Sequence, residues 1–161
     1  MDFLIAVENT ALAIFIRESS SLWAYPFALF LHAGGLALVV GFNTALSLRI
    51  LGAGRDIPIA PINSFYPVMV IGFWINAASG TALVMADATR MLVNPLFYVK
   101  LGLILLAVLN LVFLRAQVLR DPYVDKRPLA TKAKMLAVAS LVLWAAAITA
   151  GRLTAYLGKN L

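Results

Sequence analysis

The sequence predicts an all-α integral membrane protein: a four-helix up-down bundle with an N-terminal amphipathic helix at the interface. Three observations carry that prediction. Of 161 residues, 63% are apolar and 12% charged, where a soluble domain carries about 25% charged residues. The apolar residues gather in four runs, each long enough at about 1.5 Å per residue to cross a hydrocarbon core of about 30 Å. The runs are joined by short, Gly-, Pro- and Asn-rich connections, which force neighbouring helices to run antiparallel. Lipid is the natural solvent for such a surface, because a helix satisfies its own backbone hydrogen bonds.

Residues 2–18 come first. Asp2, Glu8, Asn9 and Arg17 interrupt an apolar, helix-forming stretch, the pattern of a helix lying in the interface or against the bundle. A basic n-region and a small-residue cleavage site are both missing from it, so it reads as retained and not as a signal peptide. The first span covers 22–48, with Ser19, Ser20 and Ser21 as cap candidates and Pro26 in its opening turn, and it closes at Arg49. The second covers 62–86 with Pro67 near its start. The third covers 96–114 after Asn94-Pro95, and the fourth covers 135–157. Asp121-Pro122 and Pro128 punctuate the loop before it. The whole chain, 1–161, reads as a single transmembrane domain, without repeats or a linker.

Net charge is +6, but the basic residues flank the spans, where they meet lipid head groups; a nucleic-acid partner is not expected. Arg17, Arg90, Lys100, Arg152 and Lys159 fall on one side of the membrane. Arg49, Arg55, Arg115, Arg120, Lys126, Arg127, Lys132 and Lys134 fall on the other. The excess marks the second group as cytoplasmic, so the expected location is a bacterial inner membrane with both termini periplasmic. There is no cysteine, which excludes disulfides, thiolate metal sites and a Cys nucleophile. No carboxylate pair, nucleophile with base or phosphate loop appears either, so the chain does not read as an enzyme.

Polar residues inside spans are costly and face the bundle interior or a cavity. His32, Asn76 and Thr149 share one depth. Asn43 and Asn110 share another, near the cytoplasmic end, and are expected to bond to one another. His32, the only histidine, can ligate haem iron or copper or relay a proton. A mixed site would take Met69, Met85 or Met91. A haem b site would need His32 shared across a symmetry axis. The structural alternative is an imidazole bonded to Asn76, Thr149 or a carbonyl. Closer to the periplasmic surface, Asp87, Arg90, Lys100, Arg152 and Tyr156 form a charged set. It reads as an Asp87–Arg152 or Asp87–Lys100 pair, or as a basic pocket for an anion, a quinone head group or a lipid phosphate. Gly34-Gly35, Gly41, Gly72 and Ala77-Ala78-Ser79-Gly80 predict close contact of spans one and two, and Ala145–Ala147 with Ala150-Gly151 give span four a similar face.

The segments His32–Gly41 and Ser47–Gly52, then Phe73-Trp74, Ser79-Gly80-Thr81, Asn94–Phe97, Lys100, Gly151–Leu153 and Tyr156, resemble an uncharacterised family of small four-helix bacterial membrane proteins. Members of that family often carry Asp where this chain has Ser47. More distantly the chain is similar to copper resistance protein D and haem-bearing four-helix cytochromes. That resemblance implies His32 as the first residue to test for a cofactor; from their depth and charge, Asn76 and Arg152 are the further candidate cofactor-binding residues. Three functional classes are then expected. The first is a non-enzymatic subunit, homo-oligomeric or within a larger complex, that anchors a redox or metal-handling assembly. The second is a haem b electron-transfer subunit. The third is a copper or small-solute transport component using His32, Met85 and Met91.

Overall fold

With no water to satisfy a backbone amide in a bilayer, the chain forms helices, and no strand is found among the described residues. The computed structural model describes residues 1–54, 56–121, 123–126 and 128–157. Arg55, Pro122, Arg127 and Lys159, which enter the charge and turn readings, lie outside the described residues.

The N-terminal stretch is two short helices, α1 (Asp2–Glu8) and α2 (Ala11–Glu18), where the sequence suggested one. The break falls at Asn9-Thr10 because the Thr10 hydroxyl accepts from Ala13 N at 3.4 Å and starts a new helix. Ala13 and Ile16 are buried, while Phe3, Leu12 and Phe15 stay exposed. Both helices pack on the neighbouring end of the bundle, hereafter the capped end. The serines expected to cap the first span do not do so: Ser19 and Ser21 each accept from the amide two residues on, making local turns.

Four helices are long and apolar enough to cross a membrane. α3 (Tyr25–Leu51) starts with Pro26 in its first turn and ends at Gly52, whose φ of 111° places it in the left-handed region that closes the last turn. It therefore runs about one turn past the sequence-based end at Leu48. A 3₁₀ turn, Ala60–Phe65, leads into α4 (Tyr66–Ala86), because Pro67 sits where a helix lacks an amide partner anyway. A single turn, α5 (Ala88–Met91), connects to α6 (Pro95–Leu114), which Asn94 caps by accepting from Leu96 N at 2.9 Å. α6 continues as a π-helical turn, Arg115–Leu119, and α7 is Thr131–Leu157. Among the described residues the end opposite the cap carries Arg49, Arg115, Arg120, Lys126, Lys132 and Lys134; it is the basic end. There Arg115 stacks over the Tyr66 ring, 3.6 Å from its centroid.

α3 packs antiparallel on α4 and on α7, and α6 packs antiparallel on α7, while α4 and α6 do not pack along one another. The bundle thus has three closed seams and one loose one. At the α3–α4 crossing the backbones nearly touch: a Cβ on Gly35 would lie 2.6 Å from Gly72 O and 2.7 Å from Asn76 N. Gly72 and Gly80 share this face, as expected, but Gly34 and Gly41 do not, having nothing within 4 Å. On α7, Ala147 and Ala150 are buried within the chain.

The glycine contacts and hydrogen bonds fix a common register. Near the basic end Asn43, Ser140 and Asn110 form a polar layer. One step on, Val39, Met69, Ala107, Leu111 and Trp144 form an apolar layer. Seven residues further along three helices come His32, Lys100 and Gly151, with Asn76 and Gly80 of α4 opposite them.

Candidate functional site

The layer built around His32 draws on all four spans. The Asn76 carbonyl lies 3.0 Å from His32 Nδ1, and Asn76 Nδ2 donates to His32 O at 2.6 Å. That second bond fixes the amide orientation, since a flipped amide would press two oxygens together. Nδ1 thus faces a carbonyl at 3.0 Å and, slightly further off, Asn76 Nδ2 at 3.2 Å. The nearer carbonyl favours the tautomer in which Nδ1–H donates and Nε2 keeps its lone pair. Ser79 Oγ lies 3.2 Å from the same carbonyl but gives its one proton to Ile75 O at 2.6 Å. Gly80 leaves room for the ring: a Cβ there would stand 2.8 Å from Cε1 and 3.0 Å from Nδ1. Nε2 has no hydrogen-bond partner among the described residues.

Lys100 reaches the same layer from α6. Its Cδ, Cε and Nζ lie 3.6, 3.5 and 3.8 Å from the position of a Gly151 Cβ, so the stem lies across α7 where a side chain would block it. Seven residues from Ala107, as His32 is from Val39, it lies in the same layer as His32, and it has no ion-pair or hydrogen-bond partner among the described residues.

The other sequence candidates go elsewhere. Neither expected pair of Asp87 with Arg152 or Lys100 forms; Asp87 binds Arg90 at 3.1 Å, three residues away on its own turn. Local pairing wins because Asp87 closes α4 and faces the N-terminal helices, away from α6 and α7. Arg152 and Tyr156 are exposed. Thr149 turns back to Ala145 O at 2.9 Å and does not reach His32. Met85 lies nine residues from Asn76 on α4, half a turn out of phase at about 100° per residue, so it points away from His32. Met91 lies beyond it in α5. Met69 shares the phase of Asn76 but sits seven residues along, in the apolar layer. Among the described residues no three His, Cys, Asp or Glu side chains come together.

The expected Asn43–Asn110 bond is also replaced. Asn43 Oδ1 accepts from Ser140 Oγ at 2.9 Å, and Asn110 Nδ2 donates to Leu136 O at 3.0 Å. Both asparagines join α7, which lies between α3 and α6. Asn43 Nδ2, Ser47 Oγ and Trp144 Nε1 are buried without a hydrogen-bond partner.

No family model, no curated protein and no solved structure matches this chain.

A second polar cluster, not anticipated from the sequence, clasps the N-terminal helices to the bundle. Glu8 Oε1 accepts from both Thr89 N and Thr89 Oγ1 at 2.7 Å, and Arg17 lies 4.0 Å from its other oxygen. The Thr89 hydrogen bonds hold the Glu8 carboxyl below its ordinary value, while burial pushes Asp87 up. The two act with opposite sign. Glu8 stabilises the clasp above the ordinary carboxylate range and loses that contribution as pH falls through its depressed value; the raised Asp87 favours the folded state only toward low pH. Acidification is therefore expected to lower the hydrogen-exchange protection of the Thr89 amide several-fold. Glu8→Gln should show reduced protection already at neutral pH and a flatter acid limb.

Proposed function

We propose that this chain is a non-catalytic membrane subunit that anchors and stabilises a redox assembly, with His32 as the group turned toward its cofactor or electron carrier. The observation that supports this most is the oriented imidazole, bonded to a backbone carbonyl through Nδ1 and open at Nε2 inside the bundle. Most of the described residues lie in or against the spans, which suits a subunit whose soluble partners lie elsewhere. We infer from the charge asymmetry that the capped end faces the periplasm of a bacterial inner membrane.

One specific arrangement favours haem b as a second reading. A ligating histidine commonly donates its other N–H to a carbonyl, which sets tautomer and ring orientation, and His32 has that bond. His32 would hold the iron on one side and Lys100 would face its acidic edge; haem would supply one-electron exchange. As the only histidine, His32 would be the one residue of this chain to hold such a group, and a second copy could supply another. The copper reading has less support because Met85 points away. Transport has less as well: the apolar layer of Val39, Met69, Ala107, Leu111 and Trp144 separates His32 from the polar layer at Asn43, interrupting any polar path.

An absorption spectrum with metal analysis of protein purified from its native membrane tests these readings. A Soret band abolished in His32→Ala is the result expected for haem, and copper abolished in that variant would restore the metal-handling reading. A colourless, metal-free protein that co-purifies with no redox partner would overturn the redox proposal and leave a purely structural scaffold.

A further inference from the structure

Lys100 is a cation that the fold carries into the bundle without a counter-charge among the described residues, and unlike Arg115, which stacks on Tyr66, it has no ring beneath it. It stands in the second turn of α6, about 8 Å below the helix end at about 1.5 Å per residue. The nearest carboxylates are engaged at the capped end, Asp87 by Arg90 and Glu8 by Thr89. A half-buried ammonium calls for an acceptor. In the same layer His32 Nε2 offers a lone pair and calls for a donor. Both groups sit in the layer flanked by the loose α4–α6 seam.

This pairing discriminates between ligands. A phosphate or lipid head group would satisfy Lys100 but set its oxygens against the Nε2 lone pair, and it would have to leave the polar surface to reach this depth. A quinol has a hydroxyl to donate, further oxygens to accept, and a flat apolar ring between them. We propose that His32 Nε2 and Lys100 Nζ bind the head group of a membrane-soluble quinol, admitted between α4 and α6. The inference rests on the redox-subunit reading and names its electron carrier.

The test is titration of the detergent-purified protein with decylubiquinol, kept reduced, followed by quenching of tryptophan fluorescence against empty micelles. Saturable quenching is expected. Lys100→Met and His32→Gln should each weaken binding roughly 10-fold, as loss of a charge-assisted or buried hydrogen bond does, whereas Arg152→Gln, on the exposed surface, should leave it unchanged. Should Lys100→Met not yield monodisperse protein, Gly151→Val displaces the lysine stem instead and should weaken binding likewise. Non-saturable quenching, saturable quenching indifferent to Lys100 and His32, or equal competition by oleate would each overturn the proposal, the last in favour of a fatty-acid site. The readings separate cleanly. A His32-dependent Soret band without quinol binding keeps the redox subunit and removes this ligand; quinol binding by a colourless protein removes the haem.

Discussion

Replacing Gly35 with alanine is expected to cost about 2–3 kcal/mol and to lower the melting temperature in detergent by roughly 5–10 °C. The reason is geometric. The new methyl would lie 2.6 Å from Gly72 O and 2.7 Å from Asn76 N, and both are helix backbone, so neither can rotate away as a side chain would. Relief requires α3 and α4 to separate, which also draws His32 away from the Asn76 carbonyl. Gly41→Ala is the matched control: nothing lies within 4 Å of its Cβ position, and alanine favours helix over glycine by up to about 1 kcal/mol, so it should be neutral or slightly stabilising. Thermal unfolding of the two variants side by side checks both statements. Equal melting temperatures would mean that the close crossing does not hold the bundle together.

The second large effect is expected at Gly80. Alanine there places a methyl 2.8 Å from His32 Cε1 and 3.0 Å from Nδ1. A side chain is now the obstacle, so the ring moves and the helices stay. Stability should fall by only about 1 kcal/mol, while the Nδ1 to Asn76 O bond is lost. Because His32 is the only histidine, protein labelled with ¹⁵N-histidine reports a single ring. In the native chain the Nδ1–H tautomer should predominate by roughly 10-fold, the ratio a hydrogen bond of about 1–1.5 kcal/mol produces. In Gly80→Ala it should fall toward parity. An Nε2–H tautomer in the native protein would contradict the orientation derived for His32, and with it both the haem and the quinol readings.

Hydropathy made the four spans legible, because lipid imposes a length and a composition that little else requires. The ends were less so. The sequence placed the start of the first span at Leu22, yet Ser19 and Ser21 make local turns and the helix begins at Tyr25; at its other end Gly52 carries it past Leu48 to Leu51. Depth was legible as well: His32 and Asn76 were matched by level and do meet. Rotational phase was not. A helix apolar all round gives no stripe from which to read its inward face, and so Met85, Thr149 and Arg152 were assigned to a site from which they point away. Asn43 and Asn110 show the same failure, matched in level but each claimed by the intervening α7. Local alternatives were underestimated too, as Asp87 found Arg90 within one turn. Glu8 carried no motif at all, and only the fold brings it to Thr89, 81 residues away.

The loose α4–α6 seam bears on how the molecule is made. During synthesis α3 and α4 emerge first, and the Gly35–Gly72 crossing lets them zip into a hairpin before the second pair exists. α6 and α7 then form a hairpin of their own, and the two join almost wholly through α3 and α7, the first and last spans to enter the bilayer. Helix pairs that mature independently and dock late behave as separable fragments. Two polypeptides divided in the turn at 92–94 should accordingly reassemble in a cell membrane, because no strong partnership spans that junction to be severed.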